Sequence, residues 1–174
     1  MSAAPPARAA ALTVRACCVI LHDGKMALIH RQRPDGDQYS VPGGVVHADE
    51  EVPAALAREL SEELRLDLSG LPRPPELRWV QDQITTRPGG GAPFRRLHLI
   101  HVLSDLPASA RHAMAATEQD AEDEARIIWA EIGQAARLHL YPAVGEVLTT
   151  LASDGSHLGR VLLSPITDRT FRWR

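Results

Sequence analysis

The chain has 174 residues, of which 44% are hydrophobic and 24% charged, and its formal net charge is −3. This length is typical of one domain with a sizeable core, and the acidic balance argues against a general nucleic-acid-binding protein. No apolar run approaches the ~20 residues of a membrane-spanning helix. These properties predict one globular domain that binds neither membranes nor nucleic acids.

The first segment, 1–11, is rich in Ala and Pro and lacks the apolar centre of a signal peptide. We therefore expect a flexible tail ahead of a domain spanning 12–157. Leu12 to Leu21 is a run of β-branched and apolar residues that predicts a strand, and His22 to Lys25 (HDGK) is typical of a hairpin turn. Met26 to His30 would be the returning strand.

Two adjacent thiols, Cys17 and Cys18, lie in the first predicted strand. Neighbouring side chains of a strand point to opposite faces, so a disulfide or a metal site formed by the pair is disfavoured. Free, buried thiols are the expected state, and they favour a cytoplasmic location.

Basic and aromatic residues follow the second predicted strand. Arg31 and Arg33 lead into a predicted loop at Pro34 to Asp37, and Tyr39 comes next. A guanidinium binds phosphate through two parallel hydrogen bonds, but an ordinary surface role is equally open to these arginines. Tyr39 could stack on a nucleobase or belong to the core.

The stretch from Gly43 to Leu66 (GGVVHADEEVPAALARELSEELRL) begins with a turn and continues as a predicted helix. The helix would start at Glu51 or Val52, because Pro53 is tolerated in a first turn. An apolar stripe recurs at helical spacing and would face the core. It consists of Val52, Leu56, Leu60 and Leu64.

Three carboxylates, those of Glu59, Glu62 and Glu63, share another face of this predicted helix. Like charges spaced in this way destabilise an isolated helix by roughly 0.2–0.5 kcal/mol per pair, which a hard cation would offset. Mg2+ prefers oxygen ligands and often bridges to substrate phosphates. The alternative is a solvated acidic face, the usual meaning of a run of charges.

The full spacing resembles the Nudix box, the signature of the Nudix hydrolase family. In order, the matching residues are Gly44, Glu50, Arg58, Glu59, Leu60, Glu62, Glu63 and Leu66. One position departs, since Arg65 stands where the family usually has Gly. Either the helix continues to Asp67 or Leu68, or Arg65 accepts a left-handed conformation at a cost of roughly 1–2 kcal/mol.

The resemblance implies an α/β fold, specifically an α/β/α sandwich in which the box helix packs on a mixed β-sheet. It also implies a metal-dependent hydrolase that cleaves a pyrophosphate bond in a nucleoside diphosphate linked to another group. The cofactor would be Mg2+, with Mn2+ as a substitute. A nucleoside di- or triphosphate or a sugar nucleotide is the expected substrate. A nucleotide-sensing module without catalysis is the alternative, although the intact acidic set argues against it.

Site residues follow from the resemblance position by position. Glu59 and Glu63 would be the main metal ligands, with Glu62 assisting and the Gly43 carbonyl as a backbone ligand. Arg58 and Glu50 would form an ion pair that orients the box. Substrate contacts are expected from Arg31, Arg33, Tyr39 and Gly44. In many members a Glu from a later loop completes the metal site or serves as the base, and the candidates here are Glu118, Glu122 and Glu124, with Glu122 chosen as the further ligand.

The rest of the chain predicts two paired strands, at Glu76 to Arg87 and Arg95 to Leu103, then a loop from Asp105 to Glu124. A strand is expected at Ala125 to Ala130. A short helix would follow at Ile132 to Leu138.

A longer helix, from Tyr141-Pro142 to about Leu151, would complete the domain. The last segment, 158–174, has apolar pieces and an Arg/aromatic finish. Three roles are open to it: an edge strand, the cover of an apolar patch, or a homodimer contact.

Overall fold

The computed structural model describes residues 11–87, 90–114, 125–154 and 161–173. Its strands are β1 (Leu12–His22), β2 (Lys25–Arg33), β3 (Gly36–Ser40), β4 (Gly43–Val45), β5 (Glu76–Thr85), β6 (Phe94–Leu103), β7 (Arg126–Glu131), β8 (Leu140–Tyr141) and β9 (Ile166–Thr167). Its helices are α1 (Val52–Leu64), α2 (Ala108–Ala113) and α3 (Gly145–Asp154), with a 3-10 turn at Ile132–Arg137. None of the helices in these ranges is both long enough and apolar enough to cross a membrane.

β1 is the centre of a mixed sheet because its partners run in both directions. It pairs in parallel with β6 and antiparallel with β2 and β4. The sheet order is β8-β3-β2-β1-β6-β5-β9, with β4 also beside β1 and β7 beside β2. The predicted hairpin of β1 and β2 and the predicted pair of β5 and β6 are both present. The pairing of β4 with β1 sets Gly43 directly opposite Cys17.

A helix layer covers each face of the sheet, because alternate residues of β1 point to opposite faces. Cys18 and Ile20 pack in one apolar cluster with the leucines of α1. Cys17 and Val19 pack in the other cluster with Leu148 of α3. The α/β/α sandwich and the mixed sheet are therefore confirmed, and both cysteines are free and buried as expected.

Helix α1 ends at Leu64, and Arg65 adopts the left-handed conformation with φ 55°. The N–H of Arg65 donates to the Ser61 carbonyl at 3.0 Å, and that of Leu66 donates to the Leu60 carbonyl at 3.1 Å. Leu66 is buried directly after this turn, which holds the chain in the sharp exit from the helix. Of the two outcomes that the sequence left open, the helix does not continue.

Replacing Arg65 with Gly is expected to raise the free energy of unfolding by about 1 kcal/mol. Gly avoids the left-handed Cβ cost of roughly 1–2 kcal/mol but loses part of that gain to the greater freedom of the unfolded chain. Urea unfolding would measure the change. Arg65→Ala is the matched control, since it removes the guanidinium and keeps the Cβ. An equal gain in both variants would assign the effect to the side chain and contradict the backbone argument.

Three predictions about local structure were wrong. The predicted loop before Tyr39 contains β3, which pairs with β2 from Arg33 opposite Gly36 to Ile29 opposite Ser40. The predicted loop after Asp105 contains α2, a short helix without buried residues and hence without an apolar period.

The predicted start of the last long helix was also wrong. The N–H of Val41 donates to the Tyr141 carbonyl at 2.9 Å, so that Tyr141 belongs to β8 and α3 begins only at Gly145. This sheet contact is made with a residue 100 positions earlier, and the local Tyr-Pro pattern carries no sign of it.

The segment 161–173 lies along the outer side of β5. Val80 accepts a hydrogen bond from the N–H of Leu163 at 2.9 Å and donates to the Val161 carbonyl at 2.8 Å. β9 then pairs in parallel with β5, and Ile166 and Phe171 are buried. The segment therefore adds an edge strand and covers apolar surface, which are two of the three roles left open. The homodimer contact stays a prediction.

Candidate active site

The Gly43–Gly44 turn approaches two walls too closely for any side chain. A Cβ at Gly43 would lie 2.2 Å from the Ala16 carbonyl oxygen, and φ there is 131°. A Cβ at Gly44 would lie 2.0 Å from the Cδ atom of Glu59. Both positions therefore require Gly, one because of the backbone of β1 and the other because of a carboxylate.

Helix α1 directs two carboxylates at this turn. Leu56, Leu60 and Leu64 are buried and fix the rotation of the helix, so that Glu59 and Glu63, one turn apart, face the Gly residues. The Gly43 N–H donates to Glu63 Oε2 at 2.7 Å. The side chain of Glu59 is only 15% exposed. Two negative groups are thus held together away from bulk water.

Burial raises the pKa of Glu63 to about 7. The hydrogen bond from Gly43 acts against this rise, the charge of Glu59 adds to it, and the cations Arg15 and Arg31 oppose it. Desolvation and a like charge both disfavour the ionised carboxylate. A bound cation between the two carboxylates would remove that penalty.

Arg58 connects the box loop to the helix. Its Nη2 atom lies 2.7 Å from Glu50 Oε1 and its Nε atom 3.2 Å from Glu50 Oε2, and Nη2 also donates to the Val45 carbonyl at 3.0 Å. The hydrogen bonds from Arg58 hold the pKa of Glu50 down to about 2. The predicted Arg58–Glu50 ion pair is present, with the fork geometry that Arg favours.

Glu62 is set apart from the two other box carboxylates. Its side chain is 60% exposed, and Oε2 lies 3.3 Å from Arg58 Nη1. Within the described ranges, no group of three or more His, Cys, Asp and Glu side chains is arranged to hold a metal ion. Glu118, Glu122 and Glu124 lie outside those ranges.

The donor atoms at the turn nevertheless suit a hard divalent cation. Glu59 and Glu63 supply carboxylate oxygens, and the Gly43 carbonyl is on the same turn. Mg2+ is usually held by one or two carboxylates, with waters and substrate phosphates completing its shell. The residues present therefore fit such an ion without a third carboxylate.

The structure separates the predicted substrate-binding residues. Arg31 lies close enough to Glu63 for its charge to act on that carboxylate. Arg33 donates to the Gln38 side chain at 3.3 Å, and Tyr39 stacks on His30 at a centroid distance of 5.0 Å. Gly44 and Arg31 thus lie at the acidic pair, while the contacts of Arg33 and Tyr39 are made within the β2–β3 hairpin.

Sequence reasoning missed Arg15. Its Nη2 atom donates to the Gly43 carbonyl at 2.6 Å, and its guanidinium carbon lies 5.7 Å from the centre of the Tyr141 ring. The available signal was an Arg within an apolar strand, a residue that is seldom buried unless it is paired.

A buried polar network lies beside Arg15. His98 is fully buried and its Nε2 atom lies 2.8 Å from Gln83 Oε1. Tyr141 donates to the same Gln83 oxygen at 2.9 Å and accepts from Arg96 at 2.7 Å. Burial lowers the pKa of His98 to about 3, and the charges of Arg15 and Arg96 lower it further.

Stability is therefore expected to fall on acidification below the ordinary His pKa of 6.5. Between pH 6.5 and about 3 the unfolded chain binds a proton that folded His98 does not, so this group alone should cost about 2 kcal/mol by pH 5. Chemical unfolding at pH 7.5 and pH 5 would measure it. His98→Gln should show a shallower loss between the two pH values, and equal losses in both proteins would contradict this assignment.

Comparisons with known proteins agree with this geometry. The model of the NUDIX domain matches residues 11–151. A MutT NUDIX hydrolase from Burkholderia pseudomallei is 25% identical, with a TM-score of 0.54 over 70% of this chain and 84% of its own. The search of curated proteins found no match.

Two further solved structures share the fold. A MutT protein from Bacillus halodurans is 16% identical, with a TM-score of 0.54 over 82% of this chain and 83% of its own. The NUDIX domain of Shewanella oneidensis NrtR, crystallised with ADP ribose, is 18% identical, with a TM-score of 0.55 over 87% of this chain and 93% of its own. With a family match over most of its length and the box residues assembled around one turn, the chain belongs to the NUDIX domain family and is a Nudix hydrolase.

Proposed function

We propose that this Nudix hydrolase cleaves a pyrophosphate bond in a nucleoside diphosphate linked to another group, and that it depends on Mg2+. The observation that carries the proposal is the convergence of Glu59 and Glu63 on the Gly43–Gly44 turn. Two partly buried carboxylates beside a backbone carbonyl make an oxygen-rich site. Arg31 lies nearby as a cation for an anionic substrate.

Glu59, Glu63 and the Gly43 carbonyl would hold the cation, and Mn2+ would substitute for Mg2+. When bound, the ion supplies neutralisation of phosphate charge and a more acidic attacking water. Glu62 is an assisting residue in this proposal, and Glu122 stays a candidate further ligand. The general base is a carboxylate, either of the box or of the later acidic loop.

The other residues act by positioning, on which phosphoryl chemistry largely depends. Arg58 anchors the helix to Glu50 and to the Val45 carbonyl, which fixes the orientation of the carboxylates. Gly44 lets the backbone lie against Glu59. Arg31 would bind a phosphate oxygen, whereas Arg33 and Tyr39 would contact more distant parts of the substrate.

A nucleoside di- or triphosphate or a sugar nucleotide is the proposed substrate, because the strand–hairpin–strand lead-in to the box is compact. The test is incubation with Mg2+ or Mn2+ and a panel of nucleoside triphosphates, diphosphates, sugar nucleotides and dinucleotides, with products separated by chromatography. We expect cleavage that requires the metal and stops with EDTA. Cleavage that survives chelation would contradict the metal site.

Nucleotide binding without turnover is the second candidate function, and one observation favours it. The NUDIX domain of NrtR, a structural neighbour, was crystallised with ADP ribose. A thermal-shift screen of the same panel separates the two functions, since tight binding of a nucleotide that is never cleaved would indicate a sensor. We also propose a reducing location such as the cytoplasm, which suits the two free thiols.

A further inference from the structure

Arg15 places a guanidinium on the backbone oxygen that the proposed metal site needs. Its Nη2 atom donates to the Gly43 carbonyl at 2.6 Å. The N–H of the same Gly43 donates to Glu63 at 2.7 Å. Both backbone groups of Gly43 are therefore bound by side chains of opposite charge. A divalent cation that binds this carbonyl meets a positive charge already there.

The hydrogen-bonding capacity of Arg15 is incompletely used in this arrangement. Its Nε atom is buried and has no hydrogen-bond partner among the described residues. The Tyr141 ring, 5.7 Å from the guanidinium carbon, supports the group but offers it no acceptor oxygen on that face. A guanidinium has five N–H donors, and its fork geometry matches a phosphate. Arg15 therefore lacks an acceptor-rich partner at the edge of the acidic pair.

We propose that Arg15 is a phosphate-binding residue that exchanges the Gly43 carbonyl for an oxygen of the substrate diphosphate when the cation and the diphosphate bind together. This inference rests on the proposed function. The cation takes the carbonyl oxygen, and the guanidinium turns to a non-bridging phosphate oxygen. No covalent bond forms or breaks in this exchange.

The exchange makes cation and diphosphate binding cooperative. A cation that arrives alone is opposed by Arg15, because like charges repel and the carbonyl is already bonded. A cation that arrives with a diphosphate brings negative charge for the guanidinium. Each ligand therefore strengthens the binding of the other by the same factor. The substrate class that this device selects is a metal-bound diphosphate rather than a single phosphate or a neutral nucleoside.

A purely structural role for Arg15 makes the opposite prediction for the metal. If the side chain only held the Gly43–Gly44 turn in place, its loss would loosen the turn and weaken the binding of both ligands. If it repels the cation and attracts the diphosphate, its loss should change the two affinities in opposite directions. The sign of the metal effect therefore distinguishes the two roles.

The experiment measures two dissociation constants by calorimetry: that of Mn2+ alone, and that of the non-hydrolysable probe methylenediphosphonate at saturating Mn2+. The variants are Arg15→Gln, which removes the charge, and Arg15→Lys, which keeps the charge without the fork. Arg95→Gln is the matched control. It also removes one Arg, from a strand position where the side chain is exposed and paired with Asp82 at 3.0 Å.

For Arg15→Gln we expect Mn2+ to bind about threefold to tenfold more tightly because a repelling charge is gone. Methylenediphosphonate should bind about tenfold to a hundredfold more weakly because a charge-assisted hydrogen bond is lost. Arg15→Lys should keep the wild-type Mn2+ affinity and lose part of the probe affinity. Arg95→Gln should match wild type in both. Weaker binding of both ligands, or no change in either, would overturn the proposal.

A measurement on the wild-type protein covers the case in which Arg15→Gln does not fold. The Nε–H resonance of Arg15 should shift when Mg2+ and methylenediphosphonate are added together, and stay in place with the probe alone. An unchanged resonance in the ternary complex would contradict the exchange. If wild type binds neither Mn2+ nor the probe, the proposed function itself fails. If wild type binds both and the variants behave like wild type, only the role of Arg15 fails.

Discussion

The Glu63→Gln variant is expected to lose about a hundredfold to ten-thousandfold in turnover while keeping its fold. Gln has nearly the shape of Glu, and its side-chain oxygen can still accept the hydrogen bond that Gly43 donates to Glu63 at 2.7 Å. What disappears is one negative charge beside Glu59. That charge is the one a divalent cation and a proton acceptor both require.

Stability should respond in the opposite sense to activity. Burial raises the pKa of Glu63 to about 7, so keeping it ionised above that pH costs folding free energy, which a neutral Gln avoids. The melting temperature of Glu63→Gln at pH 8 should therefore equal or exceed that of wild type. Such a trade between activity and stability is common at active sites.

Turnover per folded molecule and thermal unfolding, measured on the same preparations, check both statements. Glu76→Gln is the control, because it removes a carboxylate that is 61% exposed and paired with Arg78, away from the acidic pair. It should behave like wild type. A well-folded Glu63→Gln with near-normal turnover would rule out Glu63 as a metal ligand or base.

Gly43→Ala is expected to destabilise the protein by about 3–5 kcal/mol, from backbone strain and overpacking together. The added Cβ would lie 2.2 Å from the Ala16 carbonyl oxygen and 2.6 Å from the Cα of Cys17, and φ is 131°. Both contacts are with the backbone of β1, the strand at the centre of the sheet. Neither neighbour can move without disturbing the pairing of β1 with β6.

Gly24→Ala is the control for the backbone part of this cost. Gly24 also has a positive φ, 71°, but a Cβ there would meet no atom within 4 Å. It should cost only about 1–2 kcal/mol. Urea unfolding of the two variants separates strain from collision, and equal losses would contradict the role of the β1 wall.

The neighbouring Gly44→Ala should affect activity instead of stability. Its Cβ would collide with the Glu59 carboxylate, with 2.0 Å to Cδ, and that carboxylate is the far end of a flexible side chain. Glu59 can swing away at little cost to folding, but it then leaves the proposed metal site. We expect a turnover loss of about a hundredfold or more with little change in unfolding free energy. Wild-type turnover in this variant would show that the position of Glu59 is unimportant.

Local patterns predicted much of the candidate site. The helical stripe ending at Leu64 required a helix with one apolar face, and this spacing alone placed Glu59 and Glu63 on a common side. The Arg58–Glu50 pair also followed from positions close in the chain. Side chains within a few turns of each other are related by helix geometry, which does not depend on the rest of the fold.

Other features depend on pairing between distant segments, and only the folded chain contains them. Arg15 meets Gly43 across 28 positions because β4 pairs with β1. Glu62, equivalent to its neighbours in the pattern, is directed to Arg58 rather than to Gly43. β3 exists because β2 offers it a partner edge.

The sequence by itself therefore determined the box, the helix that bears it, and the opposite faces of Cys17 and Cys18. These features depend on periods of 3.6 and 2 residues, which any local segment carries. The tertiary structure alone decided which charged groups meet at Gly43 and where the last helix begins at Gly145. The physical reason is that strand pairing joins residues far apart in the chain, and no local period encodes the register in which they meet.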